Sequence, residues 1–246
     1  MSIGKVLLPL VDLIFPPRCP LCGDGIGAQT GLCMACWGTL AIPGEPACIT
    51  CGRPFGDSMP EGATCAPCFA DPPRHAGIAA GTLYNDTSRK LVLAFKHGGR
   101  LGLAPMMAGL IVSKLAFVDE GWLVVPVPLH RWRLWKRGYN QAAELGRELA
   151  RRTGGRLCVD GLERRKPTPS LGGLGKLARK RALSGVIGVR AGRKGLLKGA
   201  KVVLVDDVLT SGATTNACVS VLRRAGAERV VIACFARVLD EALDAT

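Results

Sequence analysis

The sequence lacks low-complexity tracts, and it lacks any apolar run of the ~20 residues needed to cross a bilayer. The early stretch VLLPLVDLIF (Val6–Phe15) is apolar, but Pro9 and Asp12 interrupt it and it has no small-residue cleavage site. We therefore expect neither export nor membrane insertion. We expect a short helix that packs on its own protein, in a cytoplasmic chain whose thiols are reduced.

Acidic residues are scarce in the middle of the chain. From Arg131 to Lys201, four Asp and Glu residues accompany twenty Lys and Arg residues, and the whole chain has a formal net charge of +14. Such a field favours phosphate-rich partners, either a polyphosphate metabolite or a nucleic-acid backbone. The alternative is a solvated basic surface with no partner. The length of 246 residues and the hydrophobic content of 48% suit one large domain or two smaller ones.

Eight of the eleven cysteines precede residue 70, where they form four CxxC pairs. Two CxxC turns complete a tetrahedral zinc site with no open position, so four pairs predict two structural sites. Sequential pairing is the simplest, and cross-braced pairing stays open. A disulfide framework would need an export signal, and a redox CxxC would need a thioredoxin-like βαβ context. The predicted ligands are Cys19, Cys22, Cys33, Cys36, Cys48, Cys51, Cys65 and Cys68.

The cysteine-rich part is net acidic, and four thiolates around each zinc would add negative charge. We therefore expect it to contact protein or act as a scaffold rather than bind phosphate. The consecutive prolines in DPPRH (Asp71–His75) predict a linker. The expected domains are an N-terminal helix with a double zinc ribbon at 1–72 and a second domain at 73–246.

The second part alternates between strand and helix patterns. The predicted strands are Ile78–Tyr84, Trp122–Pro128, Lys201–Asp207 and Arg229–Ala236, and the predicted helices are Ser88–Gly98, Leu103–Ala116, Asn140–Gly155 and Thr214–Gly226. Apolar, β-branched strands that alternate with helices indicate an α/β fold, with a parallel sheet covered on both faces. Ligands of such sheets bind beyond the carboxyl ends of the strands.

Two adjacent acids, Asp206 and Asp207, stand at the end of one predicted strand. The turn Thr210–Thr214 follows and offers backbone N–H groups, three hydroxyls and a glycine, which together predict a phosphate cradle. Ionised carboxylates accept hydrogen bonds, so a sugar with free hydroxyls and a 5′-phosphate would suit both features. A Walker B strand would need a GxxxxGK(S/T) loop, which the chain lacks. An N-capping Asp explains one acid but not two.

The segment VVLVDDVLTSGATT resembles the phosphoribosyl-pyrophosphate (PRPP) loop of type I phosphoribosyltransferases. The segment VPVPLHRWRLWKRGYNQAAELGREL resembles the signature of the ComF family of competence-related proteins, and PVP…R…RGYNQ is its most specific part. LAFKHGGR and a cysteine-paired zinc module ahead of the sheet also fit that family. The resemblance covers nearly the whole chain.

The resemblance implies a type I phosphoribosyltransferase-like fold that binds PRPP together with Mg²⁺. The candidate catalytic residues Asp206 and Asp207 would hold the ribose 2′- and 3′-hydroxyls. The 5′-phosphate would be wrapped by Thr210, Ser211, Gly212, Ala213 and Thr214.

The same resemblance implies a cationic group at the pyrophosphate. Arg133, Lys136 and Arg137 would lie in the loop after VPVP and face the pyrophosphate through Mg²⁺, with Lys96 beside them. Cations there would stabilise the departing pyrophosphate as the C1′–O bond breaks with oxocarbenium character. Generic surface charge is the alternative for this cluster.

The segment RRKPTPSLGGLGKLARKRALSGVIGV departs from the family pattern, which predicts Gln near Leu171, Asn near Ala182 and Phe near Ile187. We expect this segment to be a mobile hood over the acceptor site, so the acceptor does not follow from the resemblance. Purine-salvage relatives carry an acidic base where Thr210 stands. Its absence argues against a 6-oxopurine acceptor.

Two function classes are open. An enzyme would transfer phosphoribosyl to a nucleophile, whereas a PRPP or nucleotide sensor, or a single-stranded DNA-binding module, would keep the pocket without turnover. The intact acids and loop favour PRPP binding, and the altered hood favours the second class. By resemblance the cellular role is DNA uptake in natural transformation or DNA use, with competence or DNA-processing proteins as partners.

The remaining distinctive residues have simpler expectations. His130 borders the expected pyrophosphate loop and has no visible triad partner. Trp122 is expected in the core, whereas Trp132 and Trp135 flank basic residues and could either pack in the core or stack on bases. Three other cysteines are expected to be small buried hydrophobes: Cys158, Cys218 and Cys234.

Overall fold

A computed structural model describes residues 15–56, 59–60, 62–97, 99–168, 178 and 181–239. The helix expected before residue 15 lies outside the described residues, and so do Gly98 and Leu171. No helix within the described ranges has the length and apolar character needed to span a membrane.

A five-stranded parallel sheet forms the centre of the fold, with strand order β1–β7–β6–β2–β3. Its strands are β1 (Ile78–Leu83), β2 (Trp122–Pro126), β3 (Arg156–Leu157), β6 (Lys201–Leu209) and β7 (Arg229–Arg237). A separate antiparallel pair joins β4 (Leu162–Arg164) to β5 (Ile187–Val189). The α/β fold class predicted from the sequence is confirmed.

Helices connect the strands and cover the sheet. They are α3 (Asp86–His97), α4 (Ala104–Val112), α5 (Arg131–Arg137), α6 (Gln141–Thr153), α7 (Lys194–Leu197) and α8 (Ala213–Arg224), with short 3₁₀ turns at Leu101–Leu103 and Ser113–Leu115. The cysteine-rich part contributes α1 (Met34–Gly38) and α2 (Ala66–Ala70).

The core is divided between the two faces of the sheet. In β6, Val203 and Val205 pack with α3, α4 and α6, while Val202 and Leu204 pack with α8 and the β4–β5 pair. Because successive side chains of a strand point to opposite faces, a central strand covered on both sides must be apolar throughout. The run VVLV satisfies this requirement and fixes β6 in the middle of the sheet.

Several sequence-based bounds differ from the structure. Helix α6 begins after the N-cap Asn140, whose side-chain oxygen accepts from the backbone N–H of Ala142, and it ends before Gly154. Strand β6 continues two residues past Asp207 to Leu209, because it stays paired with β7 to that point. The segment after VPVP was predicted to be a loop. That prediction is wrong, because Arg131–Arg137 forms a helix.

Candidate functional site

The two acids lie at the carboxyl edge of the sheet, where β6 loses one neighbour. Pairing with β2 ends at Pro126 and Val205, so Asp206 and Asp207 face the space beyond β2 while β7 still pairs on the other side. The carboxylates also shape the chain locally. Oδ1 of Asp206 accepts from the backbone N–H of Asp207 at 2.9 Å, and Oδ1 of Asp207 accepts from that of Val208 at 2.8 Å.

Lys96 reaches this pair from helix α3. Its Nζ lies 3.0 Å from Oδ2 of Asp207, which is 7% exposed, and the Lys96 side chain is itself largely buried. A buried carboxylate needs such a partner, because removing the partner of a buried ion pair lowers the free energy of unfolding by ~3–5 kcal/mol. The fold thus brings together residues 111 positions apart in the chain.

Asp206 is partly buried and has no cation in direct contact among the described residues. Burial, and then the neighbouring Asp207 carboxylate, raise the pKa of Asp206 to about 8, while Lys96 acts in the opposite direction. Near neutral pH the pair therefore shares less than two full negative charges. A ligand that supplies cations or hydroxyl donors would favour the ionised form of Asp206.

The loop after β6 leads into the N-terminus of α8. Thr210 and Ser211 are exposed, and Thr214 is partly exposed. Gly212 has φ +69°, and a Cβ there would lie 3.3 Å from Nδ2 of Asn216, so both backbone conformation and space favour glycine. Backbone N–H groups at the start of a 12-residue helix, next to free hydroxyls, form a site suited to an anion.

The RGYNQ motif holds α5, α6 and α3 together. Tyr139 Oη donates to the carbonyl of Phe95, and Nε2 of Gln141 donates to the carbonyl of Lys96 at 3.5 Å. Arg137 Nη1 donates to Oε1 of Gln141 at 3.2 Å. These bonds fix the C-terminal end of α3, so the motif positions Lys96 as well as Arg137.

Among the expected pyrophosphate cations, Arg133 and Lys136 are exposed on α5 and Arg137 is partly buried. Arg164 on β4 is a further cation that the sequence interpretation missed. Burial and then Arg133 lower the pKa of Arg164, while Asp206 has the opposite effect. Arg164 therefore lies within electrostatic reach of Arg133 on α5 and of Asp206. No local motif marks it, because its neighbours come from distant segments.

The eight predicted metal ligands form two clusters in sequential order. Within each cluster all four sulfur atoms lie within 4.8 Å of one another. Sγ atoms of Cys22 and Cys33 are 3.4 Å apart, and those of Cys51 and Cys65 are 3.7 Å apart. Zinc with Zn–S bonds of ~2.3 Å in a tetrahedron implies S–S separations of about 3.8 Å, so both clusters fit the ion. The first tetrad is Cys19, Cys22, Cys33 and Cys36, and the second is Cys48, Cys51, Cys65 and Cys68.

Backbone donors favour the thiolate at one position of each tetrad, whereas burial raises the pKa of other members, among them Cys36, Cys65 and Cys68. Burial opposes ionisation of Cys48, but N–H groups of Cys65, Cys51 and Thr50 outweigh it and lower the pKa to about 6. Burial also opposes ionisation of Cys19, but backbone N–H groups, led by that of Cys33, outweigh it and lower the pKa of Cys19 to about 6. The metal ligand form of cysteine is the thiolate, so this arrangement suits metal binding.

A basic cavity of about 520 Å³ lies away from the acid pair, at the C-terminal end of α8. Arg165, Arg190, Lys194 and Arg224 line it. Arg165 already pairs with Glu163 at 2.9 Å. Successive side chains of β4 point in opposite directions, so the Arg164 side chain lies on the side of the acid pair and the Arg165 side chain lines this cavity. The cavity is therefore separate from the candidate site.

Trp122 and the three remaining cysteines are buried, as the sequence predicted. Burial raises the pKa of Cys234 to about 12. His130 caps α5, with Nδ1 accepting from the backbone N–H of Trp132 at 3.3 Å. Trp132 and Trp135 are 64% and 76% exposed and stack on each other, with ring centroids 5.2 Å apart.

Comparisons with known proteins match both parts of the chain. Residues 10–69 match the double zinc ribbon domain, and residues 139–245 match the phosphoribosyl transferase domain. The DNA utilization protein YhgH of Salmonella typhi is 28% identical over 92% of this chain and 100% of its own length. Competence protein F of Haemophilus influenzae is 28% identical over 89% of this chain and 96% of its own length.

Among solved structures, that of the allosteric regulatory enzyme of purine biosynthesis has a TM-score of 0.38 and 21% identity. The match covers 58% of this chain and 30% of that one, too little for an argument. The two domain matches and the relatives of nearly equal length confirm the resemblance seen in the sequence. The chain is thus similar to proteins of the ComF type, with a double zinc ribbon match ahead of a phosphoribosyl transferase match.

Proposed function

We propose that the chain binds PRPP, or a related 5-phosphoribosyl compound, at Asp206, Asp207 and the Thr210–Thr214 loop. The supporting observation is that both carboxylates stand beyond the last residue of β2, directly before a hydroxyl-bearing turn that opens α8. In this proposal the carboxylates accept from the ribose 2′- and 3′-hydroxyls, and the turn N–H groups bind the 5′-phosphate.

The cations Lys96, Arg133, Lys136 and Arg137 would face the pyrophosphate, and Arg164 adds a fifth. In a transfer reaction the C1′–O bond to pyrophosphate breaks, the acceptor bonds to C1′ and loses its proton, and pyrophosphate leaves. Cations aimed at the departing oxygens would stabilise this charge as it develops. Mg²⁺ that enters with PRPP would offset further pyrophosphate charge.

The two tetrads would each hold one structural Zn²⁺ through four thiolates. Their loops are rich in glycine and polar residues, and an apolar cluster of only a few side chains surrounds the second tetrad. Metal binding would therefore supply much of the folding energy, about 10–16 kcal/mol per site in zinc-finger peptides. Free thiols at these separations suit a reducing, cytoplasmic compartment.

We further propose a division into a ribbon part at 1–72 and a phosphoribosyltransferase-like domain at 73–246; the two domain matches, at 10–69 and 139–245, lie on opposite sides of this boundary. The cellular role would be DNA uptake or DNA utilization, as the names of the relatives indicate. Competence or DNA-processing proteins would then be partners.

A second candidate function is single-stranded DNA binding without turnover, and helix α5 favours it. RWRLWKR has no buried residue, carries four cations and no acid, and presents the stacked Trp132–Trp135 pair. Aromatic faces among cations bind single strands, and each stacked base contributes about 1–3 kcal/mol. Salt-sensitive binding of oligothymidylate that weakens in Trp132→Ala and Trp135→Ala, without any pyrophosphate release from PRPP, would favour this function.

Calorimetric titration with PRPP and Mg²⁺ tests the proposed pocket. Asp206→Asn and Asp207→Asn each weaken a charged hydrogen bond of ~1.5–3 kcal/mol, so each should lower affinity by about 10- to 100-fold. Asp160→Asn is the matched control, because Asp160 pairs with Arg193 at 3.0 Å outside the site. Equal affinity of all four proteins would refute the pocket.

A further inference from the structure

Arg237 is a buried arginine that connects the sheet to the second cysteine tetrad. It ends β7 and is 8% exposed. Its Nη1 donates to the carbonyl of Cys51, and its Nη2 donates to Sγ of Cys51 at 3.3 Å. Both groups belong to one metal-ligand residue, so the guanidinium holds the backbone and the sulfur of Cys51 at the same time.

The charge of Arg237 needs compensation at this position. No carboxylate pairs with it among the residues that the structure describes, and a buried unpaired cation is costly. Nearby His75 does not help, since burial and then Arg237 lower its pKa to about 4 and leave it neutral. The groups that Arg237 contacts are the carbonyl and the sulfur of Cys51, and four thiolates around one Zn²⁺ would leave a net negative charge that would satisfy Arg237.

The backbone of Arg237 pairs with β6, the strand that leads into the Thr210–Thr214 loop. Arg237 is in register with Leu209 of β6, and the N–H of Val238 donates to the carbonyl of Leu209 at 2.8 Å. Leu209 is buried and directly precedes Thr210, the first residue of the loop. A shift at Arg237 therefore reaches the loop through one strand pairing.

Apolar packing provides a second link between the same two places. Ile78 packs against the cluster of the second tetrad and also against the cluster that contains Leu209 and Cys234. Gly52, one residue after Cys51, has φ +64°, and a Cβ there would lie 3.1 Å from the carbonyl of Ile78. The ribbon backbone thus approaches the sheet closely at the point where Arg237 binds it.

We propose that Arg237 is a positioning residue that couples the metal of the second tetrad to the Thr210–Thr214 phosphate loop. It orients Cys51 for the metal, and the metal-loaded tetrad in turn fixes the end of β7 and the start of the loop. The ribbon is then part of the ligand-binding architecture, not only an appended module. This inference rests on the proposed zinc and PRPP sites and adds their dependence on each other.

The metal half is tested with the full-length zinc-loaded protein. Zinc release to a metallochromic indicator under chelator should show two phases, one for each tetrad. Partners behind a metal ligand typically change metal affinity by about 10- to 100-fold, so Arg237→Met should accelerate one phase by a comparable factor. Arg100→Met is the matched control, because within the described part of the chain Arg100 Nη1 donates to the carbonyl of Pro20, near the first tetrad, at 2.8 Å and not to the second tetrad. Unchanged release from both tetrads in Arg237→Met would overturn the proposal.

The coupling half is tested by amide hydrogen exchange of residues 207–215, which needs no PRPP. Exchange there should accelerate several-fold in Arg237→Met and stay unchanged in Arg100→Met. Exchange at wild-type rate in a variant with faster zinc release would overturn the coupling. If wild type fails to bind PRPP in a calorimeter, the proposed function fails, but this exchange result still decides the coupling.

Arg237→Lys keeps the positive charge, so it distinguishes loss of the hydrogen bonds to Cys51 from a general folding defect. Lys places a single ammonium where Arg has a fork, so zinc release and exchange should fall between those of wild type and Arg237→Met. Cobalt substitution adds a spectroscopic readout, since loss of the hydrogen bond to Cys51 should shift the thiolate-to-metal charge-transfer band. An unshifted band in both variants would contradict the assignment.

Discussion

Replacement of Asp206 by Asn should make the protein more stable in a way that grows with pH. The pKa of Asp206 rises from 3.8 to about 8 on folding, so the folded chain holds a proton that the unfolded chain releases in this interval. Stability from this group is complete below pH ~4 and is lost as pH rises towards 8. Asn cannot ionise, so the variant avoids this loss.

The magnitude follows from the same values. Each pH unit between the two pKa values changes the free energy of unfolding by at most about 1.4 kcal/mol. The slope falls towards half of this value as pH approaches 8, because the folded chain then also begins to release the proton of Asp206. From pH 6 to pH 8, the stability difference between Asp206→Asn and wild type should therefore grow by about 2 kcal/mol.

The assay is urea unfolding of wild type and Asp206→Asn at several pH values in this range. Asp160→Asn is the control with the opposite sign. The pKa of Asp160 is lowered, chiefly by its bond to Arg193, so its stabilisation is present above pH ~4 and its replacement brings no gain. A stability difference for Asp206→Asn that stays flat or shrinks with pH would refute the reasoning.

Three further predictions concern the ligand, the motif and the metal. Binding of PRPP with Mg²⁺ should release up to one proton per chain at pH 7, because burial raises the pKa of Asp206 to about 8 and the proposed site would use its ionised form to accept from sugar hydroxyls. Calorimetry in two buffers of different ionisation enthalpy measures this, and the absence of proton release would contradict it. Tyr139→Phe removes the hydroxyl that donates to the carbonyl of Phe95, so it should lower the free energy of unfolding by about 0.5–1.5 kcal/mol and weaken PRPP binding through Lys96. Urea unfolding and calorimetric titration measure the two effects, with Tyr84→Phe as the control variant. Chelation should raise amide exchange in residues 15–70 before it does so in α4 and α6, and simultaneous exchange everywhere would contradict this order.

The parts of the fold that the sequence predicted are those whose local pattern matches their final burial. Strands such as VVLV are apolar because both faces are covered, and the spacing of the CxxC pairs reflects the tetrahedron itself. Helix α5 was missed for the opposite reason. RWRLWKR buries no residue, so no apolar periodicity marks it, and its start depends on the cap supplied by His130.

The candidate site was predicted in part, and the missing parts depend on tertiary contacts. Asp206, Asp207 and the following turn are adjacent in sequence, so their chemistry is visible together. Lys96 was placed there only by resemblance, since its partner is 111 residues away. Arg164 was not found, because the β4–β5 pair brings it to the acids.

A structure of the protein crystallised with PRPP and Mg²⁺ tests the central claim most directly. We predict the ribose 2′- and 3′-hydroxyls within hydrogen-bond distance of the two carboxylates, and the 5′-phosphate over residues 210–214. A phosphoribosyl group bound in the distal basic cavity, with these carboxylates untouched, would contradict the account.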